Sequence, residues 1–188
     1  MKSVSEEAKK KGTKLHDDLY NYVTTRDKSL LKELHVRNFS EWLIYREKEG
    51  WQVYSAEEPY CSWYDPKDPE LKEQFLFAGT PDLVLVSNPY GTPKKIMVVD
   101  YKTGVWQKYY ELQLALYGEL VMYGQEGLNN NLEIDYQIDY VGINFNAEGA
   151  IKIYHEFDKS RMTRAAYGLI KLYEWMPEEM RAKIWLNK

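Results

Sequence analysis

The stretch Gly79–Tyr117 reads G-T-P-D-L-V-L-V-S-N-P-Y-G-T-P-K-K-I-M-V-V-D-Y-K-T-G-V-W-Q-K-Y-Y-E-L-Q-L-A-L-Y, and it decides the fold. Two apolar runs, Leu83 to Val86 and Ile96 to Val99, flank S-N-P-Y-G-T-P-K. The Asn-Pro, Tyr-Gly and Thr-Pro pairs in that connection mark a turn or short loop. Strands joined by so short a link are expected to be antiparallel neighbours. With the hairpin centred near Tyr90 or Gly91, residues whose numbers sum to about 181 or 182 face each other. Asp82 then lies opposite Asp100 or its immediate neighbour.

That placement needs an answering charge. Like charges opposite one another destabilise a sheet, and two close carboxylates resist joint ionisation. A divalent cation removes the penalty, because Mg²⁺ prefers carboxylate oxygens and water. Lys102 follows Asp100 by two residues and so shares its strand face. Two carboxylates and an ammonium around a cation are the parts needed for metal-assisted phosphodiester hydrolysis. The plain alternative makes Asp82 a turn residue and D-Y-K an exposed strand end with a surface ion pair. Val98 and Val99 weigh against it, since charged residues that follow a buried run need a partner.

G-T-P-D, D-Y-K-T-G and the following Q-L-A-L-Y resemble the PD-(D/E)XK nuclease superfamily, and within it the RecB-like exonuclease branch. The motif-bearing resemblance covers roughly residues 12 to 120. It implies that Asp82 and Asp100 bind Mg²⁺ or Mn²⁺, with the Tyr101 backbone carbonyl as a further ligand. It further implies that Lys102 activates water and that Gln113 and Tyr117 line the site. G-T-K-L-H, ending at His16, resembles the N-terminal G-x-x-x-H element of the branch, whose histidine is an additional metal ligand. A partly buried histidine hydrogen-bonded to a neighbour is the alternative. Glu57 and Glu58 stand near the end of a strand expected from W-Q-V-Y-S-A-E-E-P-Y. They read as a solvent-facing pair, or one of them as a carboxylate that supports a metal ligand from behind or binds a second metal.

Composition narrows the class. With 188 residues the chain is long enough for one substantial core and short for two. The expected organisation is a single domain over 1–188. Within it, N-terminal helices over 1–50 contribute a metal ligand, the core spans 51–157 and a C-terminal helix spans 158–188. A net charge of −4 excludes a wholly basic nucleic-acid binder but not DNA, because the local field governs binding. The single cysteine, Cys61, excludes an intrachain disulfide and a four-cysteine iron–sulfur cluster. No apolar run approaches the ~18 residues of a membrane span, and the N-terminus lacks an apolar signal core. A cytoplasmic setting, bacterial or in a phage-infected cell, is the expectation.

Along the chain, a helix is expected from Ser3 or Ser5 to about Val23, and a second ends at Gly50. C-S-W-Y-D-P-K-D-P-E-L-K-E and G-Q-E-G-L-N-N-N read as loops. A helix from about Trp106 to Tyr123 carries Gln113 and Tyr117 one turn apart. Strands Y-Q-I-D-Y-V-G-I-N-F and A-I-K-I-Y-H-E-F flank an N-A-E-G turn. A last helix after Asp158 keeps Met162, Ala165, Ala166, Leu169, Leu172, Tyr173 and Met176 at helical spacing. The fold class is α/β (mixed α+β), a central mixed β-sheet flanked by helices around a restriction-endonuclease-like core. The expected activity is metal-dependent DNA exonuclease action, on single- or double-stranded ends. Its expected setting is phage or mobile-element DNA processing, recombination or repair, alongside a recombinase or helicase. The alternatives are an endonuclease of the same fold and a non-catalytic DNA- or protein-binding module.

Overall fold

Every pairing in the central hairpin sums to 182, as the turn position requires. Leu83–Ser87 (β4) runs antiparallel to Lys95–Thr103 (β5), with Leu83 opposite Val99 and Ser87 opposite Lys95. The computed structural model describes residues 4–61, 78–87, 95–123, 137–155 and 157–175. The expected hairpin turn, the two loops from 62 and from 124, and Met176 lie outside the described residues. Trp51–Ala56 (β1), Gln137–Phe145 (β6) and Ile151–Tyr154 (β7) complete a five-stranded sheet of order β1-β4-β5-β6-β7. Tyr60–Cys61 (β2) and Ala78–Gly79 (β3) form a separate two-stranded piece. β6 lies parallel to β5, so the sheet is mixed, and the intervening chain crosses over through a helix.

Strand alternation sorts the core into two layers. Leu83, Leu85, Met97, Val99, Tyr101, Val141, Ile143 and Phe145 pack with Leu15 and Leu19 of Val4–Thr25 (α1) and Phe39 and Leu43 of Leu34–Lys48 (α2). Val84, Val86, Ile96, Val98 and Tyr140 pack instead with Leu114, Ala115, Leu120 and Val121 of Tyr109–Tyr123 (α3). Both faces of β4 and β5 are therefore covered, which is why their sequences read as unbroken apolar runs. Asp82 and Asp100 continue the α3-facing parity of β4 and β5 out of that core.

Two expectations are corrected. The third helix starts at Tyr109 rather than Trp106. Gly104 turns the chain with φ +86°, and the Trp106 ring lies flat enough on β6 that a Cβ at Gly142 would fall 2.0 Å from it. β7 stops at Tyr154, short of Phe157. On the last helix, Lys159–Trp175 (α4), Met162 and Ala166 are buried but Ala165, Leu169 and Leu172 are exposed. α4 packs on α3 rather than on the sheet, so only a narrow stripe is covered. The polar link before α2 contains a short 3₁₀ turn, Lys28–Lys32, capped by the Asp27 side chain on Ser29 N. Among the described residues no helix is long and apolar enough to cross a membrane.

Candidate active site

Four elements meet at one end of the β4–β5 pair. Asp82 enters β4 buried, and one of its oxygens accepts a hydrogen bond from the backbone N–H of Tyr101. In a strand the N–H and C=O of one residue face the same neighbour. The Tyr101 carbonyl is therefore turned toward Asp82 as well. Asp100 is 1% exposed. Lys102 Nζ donates to Asp100 Oδ1 at 2.7 Å and lies 2.6 Å from Oδ2. The ammonium therefore sits against both oxygens of the carboxylate. Burial first, and then the charge of Asp82, push the Asp100 carboxyl up from 3.8 to about 7, against the opposing pull of Lys102 and His16.

His16 reaches this group from α1, beside the buried Leu15 and Leu19 that dock the helix on the sheet. Its Nδ1 lies 3.1 Å from Asp82 Oδ1 and 3.2 Å from Glu57 Oε1. Burial disfavours its charged form, but the hydrogen bonds to Asp82 and Glu57 outweigh this and push the imidazole up to about 10. Gly12, one turn earlier, lines a cavity of about 500 Å³ with Thr13, His16, Asp17, Tyr20 and Glu57. A Cβ at Gly12 would meet only Thr103 Oγ1, at an ordinary 3.9 Å, so the absent side chain widens the cavity rather than relieving a clash.

Glu57 arrives by an irregular path. The β1–β4 register runs Val53 to Leu85 and then Ser55 to Val84, leaving Tyr54 as the extra residue of a bulge. Without it Ala56 would face Asp82. With it Glu57 does, and its N–H donates to the Asp82 carbonyl at 3.2 Å. Glu57 also takes φ +52°, a region that side-chain-bearing residues seldom adopt. Ligand-type atoms of His16, Glu57 and Asp82 all lie within 4.8 Å of one another. Glu58 is exposed and is not among them.

A family model of the PD-(D/E)XK nuclease superfamily matches residues 2–182, nearly the whole chain and well beyond the motif-bearing stretch. The chain belongs to the PD-(D/E)XK nuclease superfamily. Its mixed sheet flanked by helices is the superfamily's restriction-endonuclease-like fold. No curated protein matches the sequence. Among solved structures, SSO0001 is 15% identical over 84% of this chain and 74% of its own, with a TM-score of 0.33. A candidate exonuclease from Eubacterium rectale is 13% identical over 84% of this chain, with a TM-score of 0.41. This chain spans only 62% of the latter's length.

Superfamily members hold divalent metal ions on acidic residues, and the donor set here fits one. The carboxylates of Asp82 and Glu57 converge with the His16 imidazole, and Asp100 lies beside Asp82, an oxygen-and-nitrogen donor set suited to a divalent ion. In a second set of ligand-type atoms, Asp18, Glu33 and His35, the two carboxylates already face the Lys14 ammonium. Lys14 Nζ sits 2.7 Å from Asp18 and 3.5 Å from Glu33.

Gln113 and Tyr117 line the α3 side of this PD-(D/E)XK site. Gln113 Nε2 donates to the Tyr117 hydroxyl at 2.7 Å. Burial, and the carboxylates of Asp100, Asp82 and Glu57, push that phenol up to about 12 despite the Gln113 bond. The Tyr117 ring explains the first residue of G-T-P-D, because a Cβ at Gly79 would fall 2.6 Å from it. Of the residues singled out by sequence, His16, Asp82, Asp100 and Lys102 are brought together, with Gln113 and Tyr117 flanking them. Glu57 was left undecided by sequence because nothing in W-Q-V-Y-S-A signals a bulge.

Proposed function

We propose that this chain is a Mg²⁺- or Mn²⁺-dependent DNA exonuclease, serving DNA-end processing in recombination, repair or phage replication. The reading rests on one observation: His16, Glu57 and Asp82 converge, with the Asp100–Lys102 pair beside Asp82 and a cavity on the side of His16 and Glu57. The D-Y-K-T-G and Q-x-x-x-Y motifs and the His16 element support the exonuclease branch over other members of the superfamily.

His16, Asp82, Asp100 and the Tyr101 carbonyl would hold the metal, with Glu57 as a further carboxylate. When bound, the metal supplies Lewis-acid stabilisation of the phosphate charge and a water of lowered pKa. Asp100 anchors the Lys102 ammonium, so that its remaining N–H bonds are aimed at the attacking water and a phosphate oxygen. Asp82 is oriented by the Tyr101 N–H, which leaves its other oxygen toward His16. Gln113 fixes the Tyr117 hydroxyl on the far wall, where it donates toward the substrate backbone.

End-labelled DNA incubated with Mg²⁺ or Mn²⁺ tests the reading. Wild type is expected to release labelled nucleotides while Lys102→Ala loses at least about a hundredfold in rate. Closed circular DNA is expected to survive, and its cleavage would favour an endonuclease. Equal inertness of both proteins on every substrate would refute catalysis.

A further inference from the structure

The turn that follows the D-Y-K strand is unusually aromatic for an exposed surface. Between Val105 and Tyr110 the chain places Val105 at 77% exposure and Tyr109 at 62% exposure, with Trp106 and Tyr110 half-buried between them. Singly exposed apolar residues are ordinary, whereas a contiguous patch marks a binding surface. These rings are ordered against one another and against the site. Lys102 Nζ lies 5.1 Å from the Tyr110 ring centroid. Tyr109 meets Tyr110 edge-on at 4.5 Å, and Tyr110 meets Trp106 at 5.2 Å. Trp106 stacks on Tyr154 at 4.5 Å and 15° and is held against the backbone of Gly142. The patch therefore begins at the lysine of the candidate active site and rests on a ring packed against Tyr154, Phe157 and Gly142. It continues into a cavity of about 710 Å³ bounded by Trp106, Lys108, Tyr154, His155 and Phe157. Lys108 and Lys152 stand along it, the first 3.6 Å from Glu111 and the second 4.8 Å from the Tyr154 centroid.

We propose that Tyr109, backed by Tyr110 and Trp106, forms a stacking platform for the unpaired DNA bases next to the scissile phosphate, which makes single-stranded DNA the preferred substrate. The assignment rests on the nuclease reading for the position of that phosphate beside Lys102. Aromatic faces bind every base through its π surface, and flanking cations follow the backbone, which is the chemistry of sequence-tolerant single-strand binding. In a duplex only the outer face of the terminal pair is free to meet Tyr109, whereas a single strand offers the faces of successive bases and can bend to present them.

Fluorescence anisotropy with a labelled oligo-dT strand and a blunt hairpin of equal length tests this, once in EDTA and once in Ca²⁺. Wild type is expected to bind the strand more tightly than the hairpin. Tyr109→Ala is expected to weaken strand binding about 5- to 150-fold, with little change for the hairpin, while Tyr109→Phe stays within about twofold of wild type. Because Tyr109 is exposed, its substitution leaves the melting temperature unchanged, which separates lost stacking from lost folding. Equal affinity of Tyr109→Ala and wild type for the strand, tighter hairpin binding, or no strand binding under either condition overturns the proposal. Self-association that Tyr109→Ala abolishes without altering strand affinity overturns it too, and assigns the patch to a second copy. Binding needs no cleavage, so Tyr109-dependent strand binding by a protein that cuts nothing would refute the nuclease and leave the platform standing. Cleavage that persists with unaltered strand affinity in Tyr109→Ala would do the reverse.

Discussion

Asp100→Asn is expected to stabilise the metal-free protein while destroying its response to metal. The Asp100 carboxyl titrates near 7 in the fold, against an ordinary 3.8, because it is buried and faces Asp82. A carboxyl that holds its proton more tightly when folded contributes fully below about pH 4, and that contribution is lost as pH rises through 7. The interval from 3.8 to about 7 corresponds to about 4 kcal/mol of destabilisation at alkaline pH. The pull of Lys102 on the carboxylate is already contained in that interval, so asparagine, neutral like the protonated acid, escapes up to about 4 kcal/mol at alkaline pH. For a chain of this size that raises the melting temperature by roughly 8–16 °C. Thermal unfolding in EDTA at pH 5 and pH 8, repeated in Mn²⁺, measures it. The variant should exceed wild type by clearly more at pH 8 than at pH 5, and Mn²⁺ should raise the melting temperature of wild type alone. An Asn variant less stable than wild type at pH 8 in EDTA, or one still stabilised by Mn²⁺, would show that the carboxylate pair is not what the cation relieves.

Glu57→Gly should hold or raise the melting temperature, because glycine is at ease at φ +52°, while Mn²⁺ affinity by calorimetry falls about tenfold. A loss of stability with unchanged affinity would contradict the carboxylate's place at the site. Metal binding should release protons, since His16 titrates near 10 in the metal-free protein and must be neutral to ligate. Affinity should therefore rise up to about tenfold per pH unit between 7 and 9, and titrations in two buffers of different ionisation enthalpy should differ in heat. Identical heats would remove His16 from the ligand set. Gly142→Ala should cost about 1–3 kcal/mol of stability, because a Cβ there would fall 2.0 Å from Trp106. An unchanged melting temperature would show that the ring is free to move off the strand.

Periodic features were legible in the chain. The Leu83–Val86 and Ile96–Val99 runs, the short link and the two-residue step from Asp100 to Lys102 were enough to set the hairpin register and one face of the site. The helix carrying His16 was legible from its apolar spacing, and the mixed sheet from the order of elements. Two features of the helices were not. The start of α3 at Tyr109 depends on the Trp106 ring meeting a glycine some 36 residues later, a contact with no local trace. The narrowness of the buried stripe on α4 depends on which element it docks against, and helical spacing is the same whether one turn or three are covered.

The clearest division lies at Glu57. By itself the sequence determined that two carboxylates and a lysine meet across a hairpin, because strand geometry has a fixed period of two and a short turn fixes the register. It left open which of Glu57 and Glu58 joins them. Parity along β1 holds only while the strand is regular, and one extra residue at Tyr54 reverses it for everything that follows. That bulge arises from pairing with β4, and the φ of Glu57 from its N–H reaching the Asp82 carbonyl. Both are consequences of packing between distant segments, so only the tertiary structure decided that Glu57 faces His16 and Asp82 while Glu58 faces solvent.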